Sequence, residues 1–287
     1  MQSIHLKSGD WACEIDLQRG GALSRLTHLG KDVIEPSAWN ASEPEACLGL
    51  LALIPCVHHA SLSELKWTGT GHPVLNTPQQ GGSLDWGVGW QSSWQVLEQE
   101  DDFTLLSLEH RAEKHWPWLF DASQAIRLKS GELFLTLSLT NQSSVQAPAG
   151  LGWAFTLPIK LDEQLQIDPA KPTSSKESQD NTEAMEGAEG MSQTGSKRTA
   201  YAYSALQPGL SMGAWNGHFS LQGRDHQVDV HSNLKTLHAK LTKSGRGVVF
   251  KALDQPLDVV NHMSAPKMLA PGESISVEMR LKLGASA

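Results

Sequence analysis

His58 and His59 stand side by side in a chain that holds twelve histidines. Imidazole titrates nearest to neutral pH of the ordinary side chains, so either residue could hand a proton to a bound substrate. Asp225, Asp229 and His231 are all odd-numbered and fall on one face if their segment is extended. The set lacks H-x-x-x-H or cysteine-supported spacing, so it reads as a solvated polar face and no metal site is expected. A third candidate is aromatic: between Gly81 and Val96, Trp86, Trp90 and Trp94 recur at intervals of four. That spacing would suit one stripe of a helix. Gly81, Gly82, Gly87 and Gly89 would each cost about 1 kcal/mol relative to alanine inside a helix, which favours a glycine-rich loop entering a strand at Trp94. Trp90 and Trp94 read as core anchors where that strand begins.

The elements that must hold these residues are strands. Leucines at 133, 135, 137 and 139 alternate with mostly polar neighbours from Glu132 to Thr140, and the pattern returns from Ser274 to Leu283 with Ile275, Val277, Met279, Leu281 and Leu283. Shorter candidates are Trp11 to Leu17, Trp94 to Glu98, Phe103 to Glu109, Gln124 to Leu128, Val228 to His231, Leu234 to Leu241 and Val248 to Ala252. No long amphipathic pattern competes, so the expected architecture is all-β, with antiparallel sheets packed face to face. One segment breaks this texture. Residues 168–198, from Asp168 to Arg198, carry no aromatic or β-branched aliphatic side chain and read as a polar, mobile insertion within a single domain spanning 1–287. The turn Trp116-Pro117-Trp118 reads as structural.

Composition narrows the function classes. With 287 residues and 39% hydrophobic side chains, the chain can bury a large core. Its formal charge of −8 and pI near 5.8 offer no general attraction to phosphate backbones or anionic membranes, so nucleic acid and membrane are not expected partners. Cys13, Cys47 and Cys56 suggest neither a disulfide framework nor a zinc site. No apolar leader opens the sequence and no run approaches the ~20 apolar residues of a membrane-spanning helix, giving a cytoplasmic expectation.

Several landmarks, in order, resemble the aldose 1-epimerase family, also called galactose mutarotases. They are Gly20-Gly21-Ala22-Leu23, Leu53-Ile54-Pro55, the Trp86 to Val96 stretch, Pro148-Ala149-Gly150-Leu151-Gly152, Trp215-Asn216-Gly217 and Leu269-Ala270-Pro271-Gly272-Glu273-Ser274. The resemblance spans nearly the whole chain. It implies a galactose mutarotase-like β-supersandwich with a sugar cleft on its concave face.

The same resemblance implies a mechanism. A carboxylate takes the proton of the anomeric hydroxyl while an imidazole protonates the ring oxygen, so the ring opens and recloses on either face. The family's histidine lies in a pattern like G-L-G-x-H-P-Y-F. Here the match is Gly150-Leu151-Gly152-Trp153-Ala154-Phe155-Thr156-Leu157, which puts Ala154 at the histidine position. The family's glutamate lies in a pattern like V-E-P, and the match is Asp254-Gln255-Pro256. Gln255 can hydrogen-bond a hydroxyl but is no base near neutral pH. A loop histidine of the family falls on Trp86, an Asn-Arg pair falls on His58-His59, and a site aspartate expected before Trp215 has no acidic counterpart after Tyr203. A shift of one residue would bring Asp254 into the base position, but adjacent strand residues face opposite ways.

The residues expected at the sugar are therefore His58, His59, Trp86, Trp153 and Gln255, with no confident catalytic residue. Two readings of Trp86 stand side by side. Its indole stacks on the apolar face of a pyranose, or it fills the space left by alanine at 154 and plugs the cleft. The overall reading is a carbohydrate-binding or sugar-sensing protein without a cofactor, whose partner is a small-molecule sugar or sugar phosphate and which does not use the family's acid/base mechanism. The alternatives are an active epimerase that recruits His58, His59 or Asp254, and a structural or regulatory protein with a closed cleft.

Overall fold

The computed structural model describes residues 2–34, 49–55, 87–113, 116–158, 164–167, 199–202, 206, 209–212, 215–222, 227–242, 247–254 and 267–284. In chain order the first strands are β1 (Ser3–Ser8), β2 (Trp11–Asp16), β3 (Ala22–His28), β4 (Lys31–Ile34), β5 (Leu50–Leu53), β6 (Gln95–Gln99) and β7 (Phe103–His110). They are followed by β8 (Phe120–Lys129), β9 (Glu132–Asn141), β10 (Ala147–Ala149), β11 (Gly152–Pro158), β12 (Gln164–Ile167), β13 (Thr199–Ala202) and β14 (Leu210–Met212). The last are β15 (His218–Gln222), β16 (Gln227–Ser232), β17 (Thr236–Leu241), β18 (Gly247–Leu253), β19 (Lys267–Leu269) and β20 (Ser274–Gly284). Among the described residues there is no α-helix, and none is long and apolar enough to cross a membrane.

Two antiparallel sheets carry the architecture. The first runs β1-β2-β3-β5-β11-β18-β17-β14, with β4 beside β3. The second runs β13-β12-β15-β16-β20-β9-β8-β7-β6, and β10 pairs separately with β19. The long alternating segments form the middle of the second sheet, where β20 pairs with β9 from Ser274↔Thr140 to Lys282↔Glu132. Their burial alternates strictly in β20, so each side chain's face follows from its parity.

The core lies between the sheets. Phe155 of β11 and Phe250 of β18 stack with ring centroids 5.3 Å apart, and Phe250 stacks on Phe219 of β15 at 4.5 Å. Those three rings therefore join the first sheet to the second, where the offset-stacked geometry contributes beyond burial alone. Trp116 and Trp118 are buried edge-to-face at 5.1 Å, the structural role expected for that turn.

The tryptophan-glycine stretch is tied to the first sheet by backbone. Gly89–Gln91 forms a 3-10 turn, and the Val88 and Gly89 N–H groups donate to the Ile54 carbonyl at 3.0 and 2.7 Å. Gly20 takes φ +70°, and a Cβ there would lie 2.6 Å from the Trp90 Cα, so a side chain would push this turn off the sheet. Trp90 and Trp94 are both buried, as expected, and the Trp94 Nε1–H donates to the Gly89 carbonyl at 3.1 Å. The 168–198 segment lies outside the described residues.

Candidate functional site

Parity along β11 sorts its side chains. Trp153, Phe155 and Leu157 belong to the intersheet core, so Ala154 and Thr156 point from the outer face of the first sheet. Register then extends that face sideways. Ala154 pairs with Leu51 of β5 on one side and Lys251 of β18 on the other, and Lys251 pairs with His238 of β17. One row across four strands thus reads Leu51, Ala154, Lys251, His238.

The two halves of this row differ in chemistry. On the β5 side, Leu51, Leu53, Trp90, Ala154, Val249 and Leu253 make a second apolar cluster, separate from the intersheet core. Ala154 and Leu53 are fully buried there, and Trp90 is 2% exposed. On the β17 side, Lys251 and His238 are half-buried and Lys240 is exposed. Thr156 lies two residues along β11 from Ala154, and its buried Oγ1 has no hydrogen-bond partner among the described residues.

Asp254 closes the end of the β11–β18 pair. Its backbone N–H donates to the Leu151 carbonyl at 2.9 Å, and its Oδ1 accepts from the Leu151 N–H at 2.9 Å. Burial pushes its carboxyl up from 3.8 to about 6, while the Leu151 hydrogen bond and the charge of Lys267 pull it back. Among the described residues, no three His, Cys, Asp or Glu side chains converge in a way that could hold a metal ion. Asp229 and His231 share the outer face of β16, where the His231 ring stacks on His218 at 4.2 Å.

Comparison with known proteins adds the family. The aldose 1-epimerase family model matches residues 17–260. This chain belongs to the aldose 1-epimerase family. A crystal structure from Escherichia coli K12, described as an aldose 1-epimerase candidate, superposes with a TM-score of 0.78 at 20% identity over 99% of both chains. A galactose mutarotase-like protein from Lactobacillus casei ATCC 334 gives a TM-score of 0.74 at 15% identity, over 99% of this chain and 100% of that one. At these identities the likeness is one of fold. An uncharacterized Escherichia coli K12 protein, YphB, is 29% identical over 114 residues, which are 40% of this chain and 38% of YphB. The aligned part thus spans well under half of that relative.

Within the aldose 1-epimerase frame, the expected site residues have different outcomes. His58, His59, Trp86 and Gln255 lie outside the described residues. Trp153 is a correction: it is fully buried in the intersheet core, on the opposite face of β11 from Ala154. Period-two alternation forbids neighbours on a strand from lining one surface, so the indole cannot meet a sugar held above Ala154. Trp90, read from sequence only as a core anchor, instead shares the apolar cluster of Ala154. Lys251 and His238 were not singled out by sequence. A single lysine inside the apolar run Val248-Val249-Phe250-Lys251-Ala252-Leu253 was the available signal.

Proposed function

We propose that this aldose 1-epimerase family member binds a sugar on the outer face of the first sheet without catalysing anomerisation through the family's histidine and glutamate. The observation that carries this reading is Ala154, wholly buried among Leu51, Leu53 and Trp90 at the position the family resemblance assigns to the imidazole acid. A methyl group in an apolar cluster neither donates a proton nor admits a ring oxygen. Sugar binding is supported by family membership and by the Thr156 hydroxyl, whose buried oxygen suits a partner hydroxyl. General acid and base groups each contribute ~10²–10⁴-fold, so their loss leaves a rate near background. Polarimetry of fresh α-glucose and α-galactose with purified protein tests this. Equilibration no faster than buffer supports the reading, and rapid equilibration removes it.

One observation favours a second reading, an epimerase that recruits Asp254. Its carboxylate sits at the end of the β11–β18 pair, on the Leu151 N–H at 2.9 Å, three residues before Ala154, and burial pushes its carboxyl up to about 6, toward the range that suits a general base. That reading expects acceleration that Asp254→Asn abolishes, with a pH profile inflecting near the same value.

A further inference from the structure

We infer that Gln124 is a positioning residue: from the core of the second sheet, its side-chain amide sets the turn at Gly89–Gln91 and, through it, the wall of the face that carries Ala154. Where it concerns a ligand, this rests on the sugar-binding reading above.

Gln124 is out of place by composition. It lies on the inward face of β8 with Ala122, Ile126 and Leu128, and its cross-strand partners are Leu106 of β7 and Leu137 of β9, all of them core residues. The side chain is fully buried. Its Nε2–H donates to the Gly21 carbonyl at 3.2 Å, while its Oε1 has no hydrogen-bond partner among the described residues. One neutral hydrogen bond contributes no more to stability than an orphaned buried acceptor takes away. Core stability therefore does not account for an amide at 124, where leucine or methionine would serve. What the amide supplies that an apolar side chain could not is a directed N–H, and that N–H reaches the Gly20-Gly21 pair.

The pair has a choice of conformations to be settled. Gly20 and Gly21 both take positive φ, +70° and +60°, and two successive glycines have a wider range of backbone conformations open to them than other residue pairs. Fixing the Gly21 carbonyl selects one. In that conformation the Gly20 N–H donates to the Ser92 carbonyl at 3.0 Å, and Gly20 stands so close to Trp90 that an added Cβ would lie 2.6 Å from the Trp90 Cα. Gly21 packs on the same stretch, where a Cβ would lie 3.5 Å from Cγ of Trp94. The turn is also held by the Val88 and Gly89 N–H groups on the Ile54 carbonyl, next to Leu53. Trp90 then joins Leu51, Leu53 and Ala154 in their apolar cluster. An unbroken series of contacts thus runs from Gln124 through Gly21, Gly20 and Ser92 to Trp90.

Hydrogen exchange of the full-length protein, resolved by residue with NMR, tests this in Gln124→Met, which keeps the side chain's length and removes its donor. The expected result is exchange about three- to tenfold faster at the Gly20, Val88, Gly89 and Ser92 amides, the scale set by one lost hydrogen bond. Amides in the middle of β9 and β20 should exchange as in wild type, with the denaturation midpoint close to wild type. Gln124→Glu, compared with wild type at about pH 5, is the conservative rescue. A carboxyl buried here stays protonated and its O–H can donate to the Gly21 carbonyl, so the turn amides should return to wild-type exchange. Calorimetric titration with glucose forms the ligand arm, where Gln124→Met should weaken binding about fivefold and Gln124→Glu should not. Unchanged exchange at the turn in Gln124→Met would overturn the inference. So would acceleration spread evenly over both sheets, failure of Gln124→Met to fold, or equal acceleration in Gln124→Met and Gln124→Glu, each of which removes the amide's directing role. Equal glucose affinity in wild type and Gln124→Met would overturn the link to the ligand. Absence of glucose binding by wild type would overturn the sugar-binding reading alone, because the exchange measurements need no ligand.

Discussion

Leu151 and Asp254 are joined by two hydrogen bonds, one from the Asp254 backbone N–H to the Leu151 carbonyl and one from the Leu151 N–H to the Asp254 carboxylate, each 2.9 Å long. The pair fixes the start of β11 to the end of β18, three residues before Ala154. A carboxylate does this at a cost, because burial disfavours its charged form.

The cost gives a pH signature. The folded carboxyl titrates at about 6 against an ordinary 3.8, so the native state binds more protons than the unfolded chain between those values. Stability from this group is fully present below about pH 4 and is lost as pH rises through about 6. Asp254→Asn keeps an oxygen to accept the Leu151 N–H and carries no charge. Its stability relative to wild type should therefore increase between about pH 4 and 6 and level off above, by up to about 3 kcal/mol. Denaturant unfolding at a series of pH values checks this, and a pH-independent difference would contradict it. Asp254→Ala removes the acceptor and should lose about 1–3 kcal/mol relative to Asn.

Trp90 should be structural in the strict sense. Its side chain is 2% exposed in the cluster that holds Ala154. Trp90→Ala should cost about 3–5 kcal/mol, like other large-to-small core substitutions. Chemical denaturation measures it; a loss below about 1 kcal/mol would mean that the cluster does not depend on the indole.

Strand positions were legible where alternation was long. The segments Glu132–Asn141 and Ser274–Gly284 end within one residue of the expected bounds because one face is buried and the other wet. β11 carried no such signal: Trp153 and Ala154 are both fully buried, on opposite faces, so its hydrophobicity does not alternate. β5 is four residues long and buried throughout, and β14 has only three residues, too few to show a period. The site was less legible still. Parity alone excludes Trp153 from the face of Ala154, but the proximity of Lys251 and His238 depends on register between strands, which pattern in one sequence does not specify.

Residues 168–198 should be dispensable for folding. The segment has no aromatic or β-branched aliphatic residue to bury. Limited proteolysis should cut there first, and a short Gly/Ser replacement should leave the thermal midpoint within about 2 °C of wild type, a change in stability of about 1 kcal/mol or less. A large drop would show that the segment packs against the domain.

Trp86 occupies the position that the family resemblance gives to a sugar-contacting histidine. As a stacking platform, its replacement by alanine should weaken sugar binding about tenfold and leave stability near native, because it contributes to the ligand and not to the core. As a plug it should behave like Trp90, with stability lost and no ligand affected. Intrinsic fluorescence titration and thermal unfolding, run on both proteins, separate these outcomes.

The proposed function requires that a sugar bind and that its anomers not interconvert on the protein. Two-dimensional NMR exchange spectroscopy reads both properties in one sample of protein with excess glucose 6-phosphate or glucose. The expected result is line broadening of the sugar resonances that reports binding, with α-to-β exchange cross-peaks no stronger than in protein-free buffer. Strong exchange cross-peaks that scale with protein concentration would contradict it and show that the chain catalyses anomerisation with other residues.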